Sequence, residues 1–340
     1  MSQVQGKSSN ARKIDDLARS AMQALGIDLG GTKIKAGVVR GGKLIGETVQ
    51  VSTPVGPEKI IQALTDLVLK FKEKEDLAGV GVATAGIVDC NTGEVIGSTG
   101  NLPGWAGTKL KSALESKVLL PVHVDNDANA AAYGESRCES LRNLTCVVVV
   151  TLGTGIGGGL IINGKLYHGS RWAAGEIGHI RISLNNERLC TCGLFDCWEA
   201  YGSGRGLLAT AAQLLDGVAE GQSPLAQSPA SLSTYAVFAA ANQDDLMAQK
   251  IVHRWHEHVS HGMVNLAHIL NPDCFVITGG LSDSVDLQLL TEMIIDRTLS
   301  SVSENIQVRT SELEGNAGIV GAAQFVIDEL LTDKTKLVCQ

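Results

Sequence analysis

The chain reads as an α/β protein built from two related domains. Three observations predict this: its length, a strand–turn–strand pattern that occurs twice, and a glycine-rich turn at the same place in each copy. At 340 residues it is long enough for two ordinary domains. The first copy runs Ala24-Leu-Gly-Ile-Asp28-Leu-Gly30-Gly31-Thr32-Lys33, continues through Ile34-Lys-Ala-Gly-Val-Val39, and turns at Gly41-Gly42 into Lys43-Leu44. About 122 residues later the pattern returns as Val147-Val-Val-Val-Thr151-Leu-Gly153-Thr154-Gly155, with a second strand through Leu160-Ile-Ile and a hairpin at Asn163-Gly164-Lys165-Leu166. Each copy predicts an apolar strand, a Gly/Thr turn, a second strand, a tight hairpin and a third strand.

A Gly-rich turn between strands exposes backbone N–H groups and hydroxyls at close range, which suits a phosphate chain. The candidate phosphate residues are Gly30, Gly31, Thr32 and Lys33 in the first copy and Thr151, Gly153, Thr154 and Gly155 in the second. Two such turns facing one another across a cleft would grip one triphosphate from both sides. Gly153-Thr-Gly-Ile-Gly-Gly158 also satisfies the dinucleotide fingerprint G-x-G-x-x-G, but that motif requires a helix directly after the glycines, and here a second strand is expected.

Between these landmarks, Val122-His-Val124 predicts a strand, and Asp125-Asn126-Asp127 predicts a helix start with Asp127 in a capping position. The stretch Trp172 to Glu199 carries the densest chemistry. It reads Glu176-Ile-Gly-His179, then Cys190-Thr-Cys192-Gly-Leu-Phe-Asp-Cys197-Trp-Glu199. One imidazole and three thiolates are the donors tetrahedral zinc prefers, and four protein ligands close the site, so a structural Zn²⁺ is expected on His179, Cys190, Cys192 and Cys197. The alternative is three buried thiols beside an incidental histidine. Disulfides fit less well, since no secretory segment and no run of 18 apolar residues stands out, which predicts a reducing cytoplasm and no membrane span. Net charge is -8 with no basic stripe, which argues against a nucleic-acid partner. His253, His256, His258 and His261 offer no i, i+4 pair with a convergent third ligand and read as a solvated helix surface. Trp105 and Trp198 flank these motifs, either to stack on a ring or to pack.

Together, Asp28-Leu-Gly-Gly-Thr-Lys33, Asp125-Asn-Asp-Ala-Asn-Ala-Ala131, Gly153-Thr-Gly-Ile-Gly-Gly-Gly159, Glu176-Ile-Gly-His179 and the Cys190-to-Glu199 run resemble the ROK family of repressors, open reading frames and sugar kinases, over roughly residues 24 to 330. The resemblance implies two actin-like, hexokinase-type (ribonuclease H-like) domains around a nucleotide cleft. The implied division is a polar leader over 1–22, an N-terminal domain over 23–125 joined by a returning C-terminal helix at 317–332, and a C-terminal domain over 126–316 with the zinc loop at 179–197. It further implies Asp127 as catalytic base, with Asn101, Asn126, Asp127, Glu176, His179 and Glu199 contacting sugar. Asp28 would hold Mg²⁺ for ATP, and Gly279 and Gly280 would lie on the adenosine side. His179 would serve both zinc and sugar.

Two departures from the family pattern adjoin Glu199. Asp196 stands where many relatives have Gly, so a different turn in the zinc loop is expected, and Trp198 replaces a smaller residue. The implied activity is an ATP-dependent hexose kinase, of glucokinase type, acting on the 6-hydroxyl of glucose. N-acetylmannosamine, N-acetylglucosamine and fructose are the alternative substrates. A sugar-responsive transcriptional repressor is the alternative of a different class, disfavoured by the short leader and by Asp127 standing with both Gly turns. A homodimer or tetramer is the expected assembly.

Overall fold

The computed structural model describes residues 18–97, 102–219, 221–226 and 232–338, the last six by backbone alone. Asn101 and the leader through residue 17 lie outside them. The chain divides into two compact units, one made of Met1–Asn143, Leu166–Ala174 and Asn316–Gln340, the other of Leu144–Lys165 and Gly175–Gly315.

In the first unit, β1 (Gln23–Leu29), β2 (Lys33–Arg40) and β3 (Lys43–Ser52) form an antiparallel meander. Helix α1 (Pro57–Lys72) then crosses over to β4 (Val80–Thr84). Pro57 opens α1 where its missing N–H costs nothing, and Ile60, Leu64, Leu67 and Val68 recur at helical spacing to form its buried stripe. A small antiparallel sheet, β5 (Ile87–Asp89), β6 (Glu94–Gly97) and β7 (Thr108–Lys109), leads into α2 (Leu110–Val118), β8 (Val122–Asn126) and α3 (Asp127–Ser136). The main sheet has the order β3-β2-β1-β4-β8, with β1, β4 and β8 parallel.

The C-terminal helix, Ala317–Val338, belongs to this unit and runs beyond its expected end at 332. It lies on the sheet face that carries Gly26, Asp28, Gly81, His123 and Asp125, and glycines at its contacts with the sheet and with α3 set how closely. A Cβ on Gly81 would fall 1.8 Å from the Ala322 carbonyl, and one on Gly321 would fall 1.7 Å from the carbonyl of Ala130 in α3. That second contact explains a shift in the division of the chain. Helix α3, expected with the C-terminal domain, groups with the first unit because its backbone touches the C-terminal helix.

The second unit repeats the plan. Strands β9 (Cys146–Leu152), β10 (Ile156–Ile162) and β11 (Lys165–Leu166) form the meander, and β12 (Cys274–Thr278) and β13 (Gln307–Thr310) add in parallel, giving β11-β10-β9-β12-β13. β1 and β9 share one burial pattern along their seven residues. Both hairpins turn through paired positive-φ residues, Gly41-Gly42 and Asn163-Gly164, as type I′ loops require. The two sheets have the ribonuclease H-like order that the resemblance implies. Between β11 and β12 the second unit inserts the cysteine loop and helices α4 (Glu199–Gly202), α5 (Gly204–Leu215), α6 (Thr234–Ala241) and α7 (Leu246–Leu270); α8 (Leu287–Ile295) precedes β13.

Helix α7 corrects one expectation. His253 and His261 are exposed, but His256 is buried, donating from Nδ1 to Val252 O and accepting the Asp286 N–H at Nε2, both at 2.9 Å. His258 packs edge-on against Tyr201, and burial followed by the Arg188 charge pulls its pKa down to about 3. The sequence periodicity of α7 does not reveal that a second helix face is covered. Among the described residues no helix is long and apolar enough to cross a membrane.

Candidate functional site

Chemistry collects at the carboxyl ends of the parallel strands, where open α/β sheets place their ligands. In the first unit, Asp28, Ala83 and Asp125 lie in register across β1, β4 and β8. The Gly30–Lys33 turn is pinned by Gly30 N–H to Lys33 O at 3.0 Å and by the Thr53 hydroxyl to Gly30 O at 2.7 Å, and its residues 31–33 are exposed. Asp28 abuts the first turn of the C-terminal helix, its Cγ 3.3 Å from where a Gly318 Cβ would stand. Burial, then the neighbouring Asp127 carboxylate, push the Asp28 pKa up to about 6, with Lys35 opposing.

The N-cap of α3 is Asn126, not Asp127. Asn126 keeps extended backbone, its Oδ1 accepts from Ala128 N and Asn129 N at 2.9 and 3.1 Å, and its amide donates to Gly86 O at 2.9 Å. Asp127 is therefore the first helical residue, half-buried, with Oδ1 accepting from the adjacent Ala128 N–H at 2.9 Å. Burial raises its pKa, against hydrogen bonds from Ala128, its own N–H and Asn126.

In the second unit the Gly153–Gly155 turn closes through Gly153 N–H to Gly155 O at 3.0 Å. The Thr151 hydroxyl accepts from Gly157 N at 3.0 Å, so it braces the turn. Strand β10 follows directly, which excludes the dinucleotide fingerprint. Gly279, at φ 100°, starts the turn after β12, and Leu281 N–H bonds back to Leu152 O at 3.0 Å; Gly279 and Gly280 thus lie beside the end of β9.

The four expected zinc ligands converge, all ligand atoms lying within 4.8 Å of one another. His179 Nδ1 is 3.7 Å from Cys190 Sγ, and Cys192 Sγ is 3.6 Å from Cys197 Sγ. A tetrahedron with Zn–S bonds of 2.3 Å has sulfur–sulfur edges of about 3.8 Å, so the donor set fits the ion. His179 Nε2 points the other way, 3.8 Å from Glu176 Oε2.

The departure at Asp196 now has a reason. Asp196 itself takes the left-handed conformation, φ 61°, that Gly would favour. Its fully buried carboxylate accepts from the N–H groups of Asn186, Glu187 and Arg188 and from the Tyr201 hydroxyl, and against the cost of burial these hold its pKa down at about 2. Trp198 and Trp105 are both fully buried and pack. The Trp198 indole donates to His258 O at 2.9 Å and rests on Gly262, and the Trp105 indole donates to the Thr84 hydroxyl at 2.9 Å.

Glu199 is placed where sequence reasoning did not look. Its Oε2 accepts the Ile156 N–H at 3.0 Å, and its Oε1 accepts from the Thr191 hydroxyl at 2.8 Å and from Arg205 at 2.9 Å. Arg205 also donates from Nε to Thr154 O at 3.2 Å. The cysteine loop and the Gly153–Gly155 turn are therefore directly wired together. No local motif signalled Arg205 or Thr191. A cavity of about 300 Å³ opens beside them, lined by Arg188, Cys190, Thr191, Glu199 and Arg205 among others.

The chain matches the ROK family model over residues 24–329. It is 35% identical over 311 residues to the glucokinase of Streptomyces coelicolor, covering 88% of this chain and 96% of that protein. The ROK family glucokinase of Streptomyces griseus, solved in complex with glucose and AMPPNP, superimposes with a TM-score of 0.72 at 35% identity, covering 89% of this chain and 98% of that one. The xylose repressor of Caldicellulosiruptor bescii is 27% identical, covering 96% of this chain and 84% of the repressor.

Proposed function

The chain belongs to the ROK family, and from that premise we propose that this ATP-dependent sugar kinase is a glucokinase that phosphorylates the 6-hydroxyl of glucose. The observation that carries the phosphoryl-transfer reading is Asp127. Because Asn126 does the capping, the Asp127 carboxylate is available at the carboxyl end of β8, near Asp28. Phosphoryl transfer asks little covalent work of a protein. It needs a carboxylate to take the hydroxyl proton, donors for the phosphates, and a fixed geometry.

In this reading Asp127 orients the acceptor hydroxyl and takes its proton, and its raised pKa makes it a stronger base than an exposed aspartate. Asn126, Glu176, His179, Glu199 and Asn101 exchange hydrogen bonds with the sugar hydroxyls. Such a set discriminates because an analogue lacking one hydroxyl leaves a buried polar group unpaired. The exposed Gly30–Lys33 turn and the Gly153–Gly155 turn offer N–H groups and hydroxyls to the phosphates, and Gly279 and Gly280 line the adenosine side. Asp28 would hold Mg²⁺, since a carboxylate whose charge is disfavoured by burial and by Asp127 gains from a hard cation. Bound there, the ion would offset charge on the β- and γ-phosphates. His179, Cys190, Cys192 and Cys197 would hold a structural Zn²⁺, and this would fix the Nε2 side of His179 toward Glu176.

The test is a coupled kinase assay across glucose, N-acetylmannosamine, N-acetylglucosamine and fructose, with ATP, ADP and polyphosphate as donors. Glucose with ATP is expected to give the highest kcat/KM. A higher value for another sugar overturns the glucose assignment, and tight sugar binding without turnover would move the reading to a sugar sensor.

A further inference from the structure

We propose that His168 is a positioning residue for phosphoryl transfer, acting through Asp125 on the helix turn that carries Asn126 and Asp127. The proposal rests on the reading of Asp127 as base.

Asp125 is 1% exposed, and a carboxylate survives such burial only among donors. Its Oδ1 accepts from Asn126 N at 2.7 Å and from the Asn129 side-chain amide at 3.0 Å. These two residues flank Asp127, so the buried carboxylate grips the chain on both sides of the base. The other oxygen, Oδ2, is 2.8 Å from His168 Nε2. A carboxylate has no hydrogen to give, so Nε2 carries the proton of this bond. His168 thus fixes the carboxylate that fixes the turn.

His168 is itself held. It lies in Leu166–Ala174, the short segment grouped with the first unit. Ala174 N–H closes the loop onto His168 O at 3.0 Å, and Trp172 meets the imidazole edge-on with ring centroids 5.6 Å apart. The Cys90 thiol faces the same carboxylate, and burial with the Asp125 charge drives its pKa upward, so it stays a thiol. Cys90, Asp125 and His168 offer three potential metal donors within 4.8 Å. The hydrogen bonds to Asp125 account for the cluster as a closed network without an ion.

The experiment compares the parent with His168→Ala, His168→Phe and His168→Gln, each alone and combined with Asp127→Asn. Phe keeps the ring against Trp172 and removes the donor, whereas Gln restores an N–H near Nε2. Melting curves identify which of Ala and Phe folds as the parent does, and the comparison is read on that variant. Loss of the donor is expected to lower kcat by about 10- to 10²-fold, the scale of a misplaced catalytic group, with KM for ATP changing less than about threefold and KM for the sugar, which Asn126 contacts, changing less than kcat. Gln should recover most of the loss. In the Asp127→Asn background the donor-less variant should cost nothing further, because the group it positions is already gone. Equal kcat losses in both backgrounds, an effect confined to KM, or a Gln variant no better than Phe would overturn the proposal. An Asp127→Asn protein with parental kcat would instead show that the base reading itself has failed.

Discussion

Replacing Gly155 by Ala is expected to damage sugar use, although Gly155 lies in a phosphate turn. An added Cβ would fall 2.3 Å from Glu199 Oε2 and 3.1 Å from Cδ. That is about 1 Å short of ordinary van der Waals contact. Glu199 cannot swing aside cheaply, because Ile156 N–H, the Thr191 hydroxyl and Arg205 all hold its carboxylate. Hydrogen bonds to a charged group contribute about 1.5–3 kcal/mol each, so straining the Ile156 bond alone amounts to roughly tenfold or more in an equilibrium. If Glu199 contacts the sugar as proposed, a shift of about 1 Å should lower kcat/KM for glucose by about 10- to 10²-fold. Overpacking of about 1–3 kcal/mol should also lower Tm by several degrees. Gly153→Ala is the control: nothing lies within 4 Å of its Cβ position, and its φ is not positive. It should fold normally and raise KM for ATP alone. Steady-state kinetics with each substrate varied, plus thermal melts, decide the matter. A Gly155→Ala enzyme with unchanged glucose kinetics and a raised ATP KM would refute the reasoning.

Asp127→Asn should retain sugar binding and lose kcat by about 10²- to 10⁴-fold, and a loss under threefold in steady-state turnover would remove Asp127 as base. Because burial raises the Asp127 pKa and the base must be ionised, kcat in the parent should fall on the acid side at a higher pH than an exposed aspartate would dictate. A pH–rate profile flat down to the ordinary aspartate range would contradict this. Metal analysis of the parent should find about one Zn per chain, and Cys192→Ser should abolish it. Because Thr191, Glu199 and Arg205 tie the cysteine loop to the Gly153–Gly155 turn, both KM values should rise together, and a purely sugar-side defect would show that the wiring is idle. The hydrogen bond from His123 holds Glu329 down at about 2, against burial and with help from Lys111. Its stabilisation is then fully present above the ordinary 4.5 and lost as pH falls toward 2, so the Tm gap between parent and Glu329→Gln should narrow across that window. A gap constant from pH 7 to below 4 would count against it. The effect should be small, since the Glu329 side chain is 40% exposed.

The sequence by itself determined what is written in short-range pattern. The duplicated meander was legible because strand alternation and the Gly41-Gly42 and Asn163-Gly164 hairpins are local, and the structure repeats one strand order in both units. The cysteine cluster was legible because His179, Cys190, Cys192 and Cys197 fall within one loop, where ligand type and spacing suffice. Tertiary structure decided whatever joins residues far apart in the chain. Asp125 with His168, Glu199 with Ile156 and Arg205 with Thr154 are pairs 43 to 51 residues apart. Nothing near any one of them names its partner. The grouping of α3 with the C-terminal helix likewise depends on Gly321 meeting Ala130, a contact between chain segments with no shared local signal. The cap of α3 is the instructive local case. Asn126 and Asp127 are both good capping residues, and only the extended backbone of Asn126 decides that it caps while Asp127 begins the helix.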